Sequence, residues 1–166
     1  MARKNSAGLL LFRHAPDGIE VLLGHPGGPY WAAKEDGAWG IPKGEIEADE
    51  EPFAVALREF HEETGHAAPG DQTGAIPLGE ITKRSGKVVT AWAMFGDLDP
   101  AAAVSNTFPL EWPPRSGRFI DVPEFDRLAW FGVDDARHRM RPEEWPLVER
   151  LLARRMDVNA EPFVPG

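Results

Sequence analysis

The sequence of 166 residues contains no cysteine. This absence excludes a disulfide-stapled scaffold, a cysteine-ligated zinc or iron–sulfur site and a thiol nucleophile. Long hydrophobic runs are also missing, since the apolar run Ala7–Phe12 ends at Arg13 and is too short for a secretory signal or a membrane span. We therefore expect a soluble cytoplasmic protein with no membrane partner and a single domain over residues 1–166.

Basic residues are scarce, with 18 Lys and Arg against 27 Asp and Glu and a net charge of −9. Proteins that bind the nucleic-acid backbone need a basic face, so no nucleic-acid polymer is expected as a partner. The acidic excess is concentrated between Lys43 and His66, where eight acidic and two basic side chains give a net charge of −6. Such a block is typical of a solvated helix face or a disordered run, so composition alone does not identify a site.

Hydrophobic periodicity predicts strands with interspersed helices. The runs Ala7–Arg13 and Ile19–Gly24 flank the turn Pro16–Gly18 and indicate a hairpin. Further strands are predicted over Leu78–Thr82, Lys87–Phe95 and Arg127–Phe131, and helices over Phe53–Thr64, Asp134–Met140 and Glu143–Met156. Loops are expected over His25–Gly40 and Gly96–Glu124, and a loosely held tail over Asp157–Gly166. Asp49 is expected to cap the first helix, and Gly65 fits its C-terminal end.

Three carboxylates share one arc of the helix Phe53–Thr64. Glu62 and Glu63 lie about 60° and 40° to either side of Glu59 on a helical wheel. Like charges at this spacing repel by a few tenths of a kcal/mol per pair, and the helix dipole disfavours anions in the last turn. A divalent cation would reverse both penalties, and ligands that are all oxygen suit Mg²⁺ or Mn²⁺. An acidic helix face without a metal ion remains the alternative.

The residues around this helix form a pattern with fixed spacing, G-x5-E-x7-R-E-hydrophobic-x-E-E-x-G. Its members are Gly44, Glu50, Arg58, Glu59, Phe60, Glu62, Glu63 and Gly65. Gly44 permits a tight turn, and Arg58 can hold a neighbouring carboxylate with two hydrogen bonds. The pattern closely resembles the signature of the Nudix hydrolases, which cleave the diphosphate linkage of a nucleoside diphosphate attached to another group. His66 is the one departure, because the family has an apolar residue there.

The resemblance implies an α/β/α sandwich around a mixed β-sheet, and a hydrolase that uses Mg²⁺ or Mn²⁺ to promote attack of water at phosphorus. The implied metal ligands are Glu59, Glu62, Glu63, the backbone carbonyl of Lys43 and Glu124 from across the cleft. The implied catalytic residues are Glu59, Arg58 and Glu62, with Gly44, Glu50 and Gly65 in supporting positions. Two alternatives stay open: the general base is Glu59 or a carboxylate from a loop, and Glu124 is a ligand or a plain loop acid.

Candidate substrate contacts come from two segments. Lys83, Arg84 and Lys87 gather at a turn, where they form either a solvated hairpin or a site for a substrate phosphate. Tyr30, Trp31 and Trp39 precede the motif, where each either stacks on a base or packs in the core. The segment Trp39–Gly44 resembles the W-x-x-P-K-G sequence of the dinucleoside polyphosphate and diphosphoinositol branches of the family.

The expected partner is therefore a small nucleotide-type substrate, either a dinucleoside polyphosphate or a (d)NTP, bound by a monomer or homodimer. A non-catalytic module of the same family, which binds a nucleotide without cleaving it, is the alternative. Zinc is not expected: His61 and His66 point about 140° apart on the helix and cannot share one ion.

Overall fold

The computed structural model describes residues 4–159. The strands are β1 (Asn5–Ala15), β2 (Gly18–Pro26), β3 (Lys43–Glu45), β4 (Ile76–Thr82), β5 (Val88–Phe95), β6 (Thr107–Glu111), β7 (Phe119–Pro123) and β8 (Phe125–Gly132). The helices are α1 (Pro52–Thr64), α2 (Val133–Arg139) and α3 (Trp145–Asn159). None of the helices in this range has the length and apolarity that a bilayer span requires.

A mixed six-stranded sheet forms the centre of the fold. Its order is β4-β5-β1-β2-β8, and β3 pairs with β1 beside this path. Strands β1 and β5 are parallel, whereas the other neighbours are antiparallel. Strands β6 and β7 form a separate antiparallel ribbon. The hairpin expected around Pro16–Gly18 is confirmed as the β1–β2 connection.

Both faces of the sheet are covered, as alternation along β1 shows. Leu10 and Phe12 pack into one core cluster with Leu147 and Leu151 of α3, while Leu9 belongs to a second cluster with residues of α1. A strand buried on both faces reads as a continuous apolar run. The expected α/β/α sandwich around a mixed sheet is confirmed.

The N-terminus of α1 is capped by a different side chain than the sequence suggested, whereas the C-terminus ends as expected. The prediction that Asp49 caps the helix is wrong, because Glu51 precedes Pro52 and accepts hydrogen bonds from two backbone N–H groups of the first turn. Proline at the first helical position places the cap immediately before it. Gly65 ends the helix with a φ of 78°, as expected for a left-handed C-cap.

Three predicted boundaries need correction. The expected loop over Gly96–Glu124 contains the β6–β7 ribbon, whose prolines hid the strand pattern. The expected loop over His25–Gly40 is ordered at both ends, since β2 runs to Pro26 and Gly40 bridges to Gly24. Helix α3 continues to Asn159, so residues 157–159 of the expected tail are helical, and residues 160–166 lie outside the described residues.

A buried carboxylate joins three distant parts of the chain. Glu144, fully buried just before α3, accepts hydrogen bonds from Ile41 N at 2.9 Å and from Lys83 Nζ at 3.0 Å. Lys43 Nζ lies 3.8 Å from the same carboxylate. Burial alone would raise the pKa of Glu144, but the two lysines outweigh it and hold the pKa below its ordinary value. The carboxylate is therefore ionised and paired.

We expect Glu144→Gln to lower the free energy of unfolding by about 3–5 kcal/mol at pH 7, because a buried ammonium loses its counter-ion. The difference in free energy of unfolding between wild type and variant should narrow only as the pH falls below 4.5, where the unfolded carboxylate takes up a proton, and should disappear as the pH falls through the lower pKa of folded Glu144. Urea unfolding across this pH range measures both effects. Asp36→Asn serves as the control, since it removes an exposed pair with Arg139 and should cost less than about 1 kcal/mol. An equal loss in free energy of unfolding for Glu144→Gln and Asp36→Asn would contradict the pairing of a buried charge at Glu144.

Candidate active site

A cleft of about 440 Å³ opens beside the C-terminal half of α1. Its charged lining includes the carboxylates Glu59, Glu63 and Glu124 and the cations Lys43, Lys87 and Arg141. The cleft thus brings two motif carboxylates together with Glu124, which is 61 residues further along the chain than Glu63. A larger depression of about 870 Å³ lies at the β1–β2 turn and contains none of the motif side chains.

The position of the Glu59 carboxylate requires a glycine at residue 44. No turn is present there. Gly44 lies in β3 opposite Ala7 of β1, in extended pairing. A Cβ atom at this position would lie 2.0 Å from the Glu59 carboxyl carbon and 2.4 Å from each of its oxygens. The absence of a side chain therefore leaves the space that the Glu59 carboxylate occupies, and the expected tight turn at Gly44 is wrong.

Glu63 is buried with 6% of its surface exposed, although it sits on the polar arc of α1. One of its oxygens accepts a hydrogen bond from the backbone N–H of Lys43 at 3.1 Å. Burial, together with the nearby carboxylates of Glu124 and Glu59, raises the pKa of Glu63 to about 8 despite the attraction of Lys43. Burial and Glu62 likewise raise the pKa of Glu59 above its ordinary value. These carboxylates are therefore held where ionisation is unfavourable.

Arg58 ties the start of α1 to its carboxylates. Its guanidinium contacts both oxygens of Glu50, and it lies 3.7 Å from Glu59 and 3.9 Å from Glu62. Glu50 also accepts a hydrogen bond from Glu47 N at 2.9 Å. Arg58 lowers the pKa of Glu50, so this carboxylate stays ionised and fixes the arginine. The orienting role that the sequence suggested for Glu50 is therefore consistent with the geometry.

Backbone hydrogen bonds fix the position of Glu124 relative to α1. Asn106 N donates to the Glu62 carbonyl at 2.8 Å, and Asn106 O accepts from Glu124 N at 3.0 Å. The carbonyl of Glu124 accepts in turn from Gly27 N at 3.3 Å. One residue of the chain thus links the end of α1 to the acid on the opposite wall of the cleft.

The donor set is suited to a hard divalent cation. Its side-chain ligands would be oxygen atoms of carboxylates, which Mg²⁺ and Mn²⁺ prefer. Glu59 occupies space that only a glycine leaves free, and like charges crowd the cleft around Glu63. Within residues 4–159, no three acidic or histidine side chains yet converge closely enough to surround an ion. Glu62 lies outside the cleft lining, with its side chain 46% exposed and 3.9 Å from Arg58.

Of the six expected substrate contacts, two line the cleft and four do not. Trp31 and Lys87 line the cleft. Trp39 is buried in the core at 2% exposure, so it does not face the cleft, and Lys83 is committed to its ion pair with Glu144. Arg84 is exposed at the β4–β5 turn. Tyr30 lies outside the cleft lining, 63% exposed, with its ring 6.0 Å from that of Trp112.

Several cleft residues were missed by the sequence analysis. Arg141 lies in the connection between α2 and α3, and Phe108 and Phe125 contribute apolar surface. No local pattern identifies such residues, because each belongs to a segment that reaches the cleft only through the fold. His66, the one departure from the motif, has a ring Nε2 that is buried without a hydrogen-bond partner among the described residues.

Comparisons with known proteins agree with this geometry. A family model described as NUDIX domain matches residues 2–151. The chain is 30% identical over 125 residues to an 8-oxo-(d)GTP phosphatase of Mycolicibacterium smegmatis, a match that covers 73% of this chain and 32% of that protein. The chain therefore spans about a third of the length of this curated relative.

Two solved structures show the same fold. An Ap4A hydrolase of C. elegans in a binary complex superposes with a TM-score of 0.60 at 19% identity, covering 92% of this chain and 98% of that chain. The NUDIX domain of Shewanella oneidensis NrtR, complexed with ADP ribose, has a TM-score of 0.60 at 19% identity and covers 93% and 89%. At these identities the likeness concerns the fold alone.

We expect Gly44→Ala to weaken Mn²⁺ binding at least about tenfold, because the new methyl group would displace the Glu59 carboxylate. The thermal shift on titration with Mn²⁺ measures the effect. Gly132→Ala is the matched control, since nothing lies within 4 Å of its added methyl group. Wild-type Mn²⁺ affinity in Gly44→Ala would contradict the role assigned to this glycine.

The metal-free protein should lose stability as the pH rises towards 8. Folded Glu63 keeps its proton up to about pH 8, whereas the unfolded side chain releases it near 4.5. A raised carboxyl pKa stabilises the fold below 4.5, and this contribution disappears as the pH rises through 8. In excess EDTA, Glu63→Gln should therefore gain stability relative to the wild type between pH 6 and pH 9. Urea unfolding measures the difference in free energy of unfolding between Glu63→Gln and the wild type. A difference that stays constant over this pH range would contradict the burial of an ionisable carboxyl group at Glu63.

Proposed function

Because the chain belongs to the NUDIX domain family, we propose that it is a metal-dependent hydrolase of nucleotide-type substrates. The reaction would cleave the diphosphate linkage of a nucleoside diphosphate attached to another group. The observation that carries this proposal is the cleft that Glu59, Glu63 and Glu124 all line, with the Glu59 carboxylate in the space that Gly44 leaves free. Family membership also agrees with the resemblance that the motif indicates.

The proposed ligands are Glu59, Glu62, Glu63, Glu124 and the backbone carbonyl of Lys43. Bound Mg²⁺ or Mn²⁺ would neutralise the charge of the diphosphate and lower the pKa of the attacking water. Glu50 holds Arg58, and Arg58 in turn holds the carboxylates of Glu59 and Glu62 in register. Residues that support ligands in this way typically change metal affinity or activity by about 10- to 100-fold when removed.

Glu59 is the proposed general base. Its raised pKa, caused first by burial and then by Glu62, suits a group that must accept a proton near neutral pH. In the proposed step Glu59 accepts a proton from water while the water oxygen bonds to phosphorus. The bridging P–O bond breaks, and the leaving phosphate retains its electron pair. Glu124, on the opposite wall, is the alternative base contributed by a loop.

The proposed substrates are dinucleoside polyphosphates and (d)NTPs. An 8-oxo-(d)GTP phosphatase and an Ap4A hydrolase are among the proteins that this chain resembles. Trp31, Phe108 and Phe125 offer apolar surface to a base within the cleft. Lys87, whose ammonium lies 3.9 Å from Glu45, is available to a phosphate at the rim.

A nucleotide-binding module without hydrolysis is the second candidate. Arg58 lies within 4 Å of three motif carboxylates and partly compensates their charge without a cation. The NrtR domain of similar fold is described as complexed with ADP ribose. Against this candidate, the sequence retains every carboxylate of the motif. Tight ligand binding without a phosphate product would establish it.

We expect Glu62→Gln to reduce turnover by more than about a hundredfold, because it removes a ligand and not merely a support. The assay would separate products by chromatography for diadenosine tetraphosphate, dGTP, ADP-ribose and a nucleotide sugar, with Mg²⁺ or Mn²⁺. Glu149→Gln, an exposed change of the same type on α3, should retain wild-type activity. Full turnover by Glu62→Gln, or by the wild type in excess EDTA, would refute metal-dependent hydrolysis.

A further inference from the structure

Two lysines pair with the buried carboxylate of Glu144, and one of them, Lys43, lines the cleft together with Arg141. Lys83 Nζ and Lys43 Nζ lie 3.0 Å and 3.8 Å from Glu144, and the carbonyl of Arg141 accepts a hydrogen bond from Glu144 N at 2.9 Å. Lys43, Lys83 and Arg141 together form the cation cluster of this segment. The cluster carries more positive charge than Glu144 neutralises, although the whole chain has a net charge of −9.

Arg141 is the arginine of this cluster, and its positive charge lies in the wall of the cleft. Its Nε donates to the Ala38 carbonyl at 3.3 Å, and its guanidinium carbon lies 5.0 Å from the ring centroid of Trp31. Its two Nη groups form no hydrogen bond or ion pair with any other residue that the structure describes. A guanidinium has five N–H donors, so four of them are left over in a cleft wall.

These leftover donors match a phosphate. Arginine presents its N–H groups in a planar fork that binds two phosphate oxygens at once, and stacking on an aromatic ring fixes the plane of that fork. Lys43 adds a second cation to the lining of the same cleft. Its ammonium lies 3.8 Å from Glu144, and its backbone N–H donates to Glu63, so Lys43 connects the carboxylates of the cleft to the rest of the cation cluster.

We propose that Arg141 and Lys43 form a subsite for a phosphate that lies beyond the cleaved linkage, so that preferred substrates carry at least three consecutive phosphates. The inference rests on the proposed function, because the scissile diphosphate is taken to lie over Glu59, Glu63 and Glu124. The next phosphate of the chain then reaches the cation cluster. A diphosphate whose distal phosphorus carries a sugar, such as ADP-ribose, has no group to place there.

The test compares Arg141→Ala and Arg141→Lys with Arg154→Ala, which removes an exposed arginine of α3. With dGTP and diadenosine tetraphosphate, Arg141→Ala should raise KM about tenfold to a hundredfold and leave kcat within a few-fold, as expected for the loss of a charge-assisted hydrogen bond. KM for ADP-ribose should stay within about twofold. Arg141→Lys should recover part of the loss, since it keeps the charge without the fork.

Direct binding separates this inference from the proposed function. Calorimetry with inorganic tripolyphosphate in EDTA should show weaker binding to Arg141→Ala than to the wild type and to Arg154→Ala. If the wild type hydrolyses no nucleotide yet shows this difference, the proposed function fails and the anion subsite stands. Equal tripolyphosphate binding by all variants, or an equal KM penalty on ADP-ribose and dGTP, would overturn the subsite. Thermal unfolding of each variant identifies any loss that is due to misfolding.

Discussion

The site depends on mutual repulsion among carboxylates that one helix and one loop hold close together. Glu59, Glu62 and Glu63 lie in the last two turns of α1, at the end where the helix dipole disfavours negative charge. Glu124 faces them and adds to the cost of ionising both Glu59 and Glu63. The surrounding structure offsets this cost only in part, through Arg58 and through the charge and the backbone N–H of Lys43. The repulsion that remains among the carboxylates would be relieved by a bound cation.

Among the residues whose burial the structure describes, the two buried carboxylates, Glu144 and Glu63, have opposite environments. Glu144 has two ammonium groups and a backbone N–H, and its pKa is held low. Glu63 has one backbone donor and carboxylate neighbours, and its pKa is raised to about 8. The difference is one of role: a fully compensated carboxylate joins segments of the fold, whereas an undercompensated one is available for chemistry.

The sequence predicts the parts of this structure that arise from local spacing. The helix, its C-terminal Gly65 and the shared arc of Glu59 and Glu63 follow from a period of 3.6 residues, and the buried central strand follows from a continuous apolar run. The pairing of Lys83 with Glu144 spans 61 positions and leaves no local signal. The reason for glycine at position 44 was equally hidden, since the conflict with Glu59 arises only after β3 packs against α1.

The two hydrogen bonds of Asn106 fasten the β6–β7 ribbon at its base. They join the carbonyl of Glu62 to the amide of Glu124, so the separation of the cleft walls is fixed at the base of the ribbon and does not depend on the rest of it. The tip between Glu111 and Phe119 contributes no residue to the cleft lining. A change in the length of that tip would therefore leave the spacing between α1 and Glu124 unchanged, because the two hydrogen bonds that set this spacing lie at the base of the ribbon.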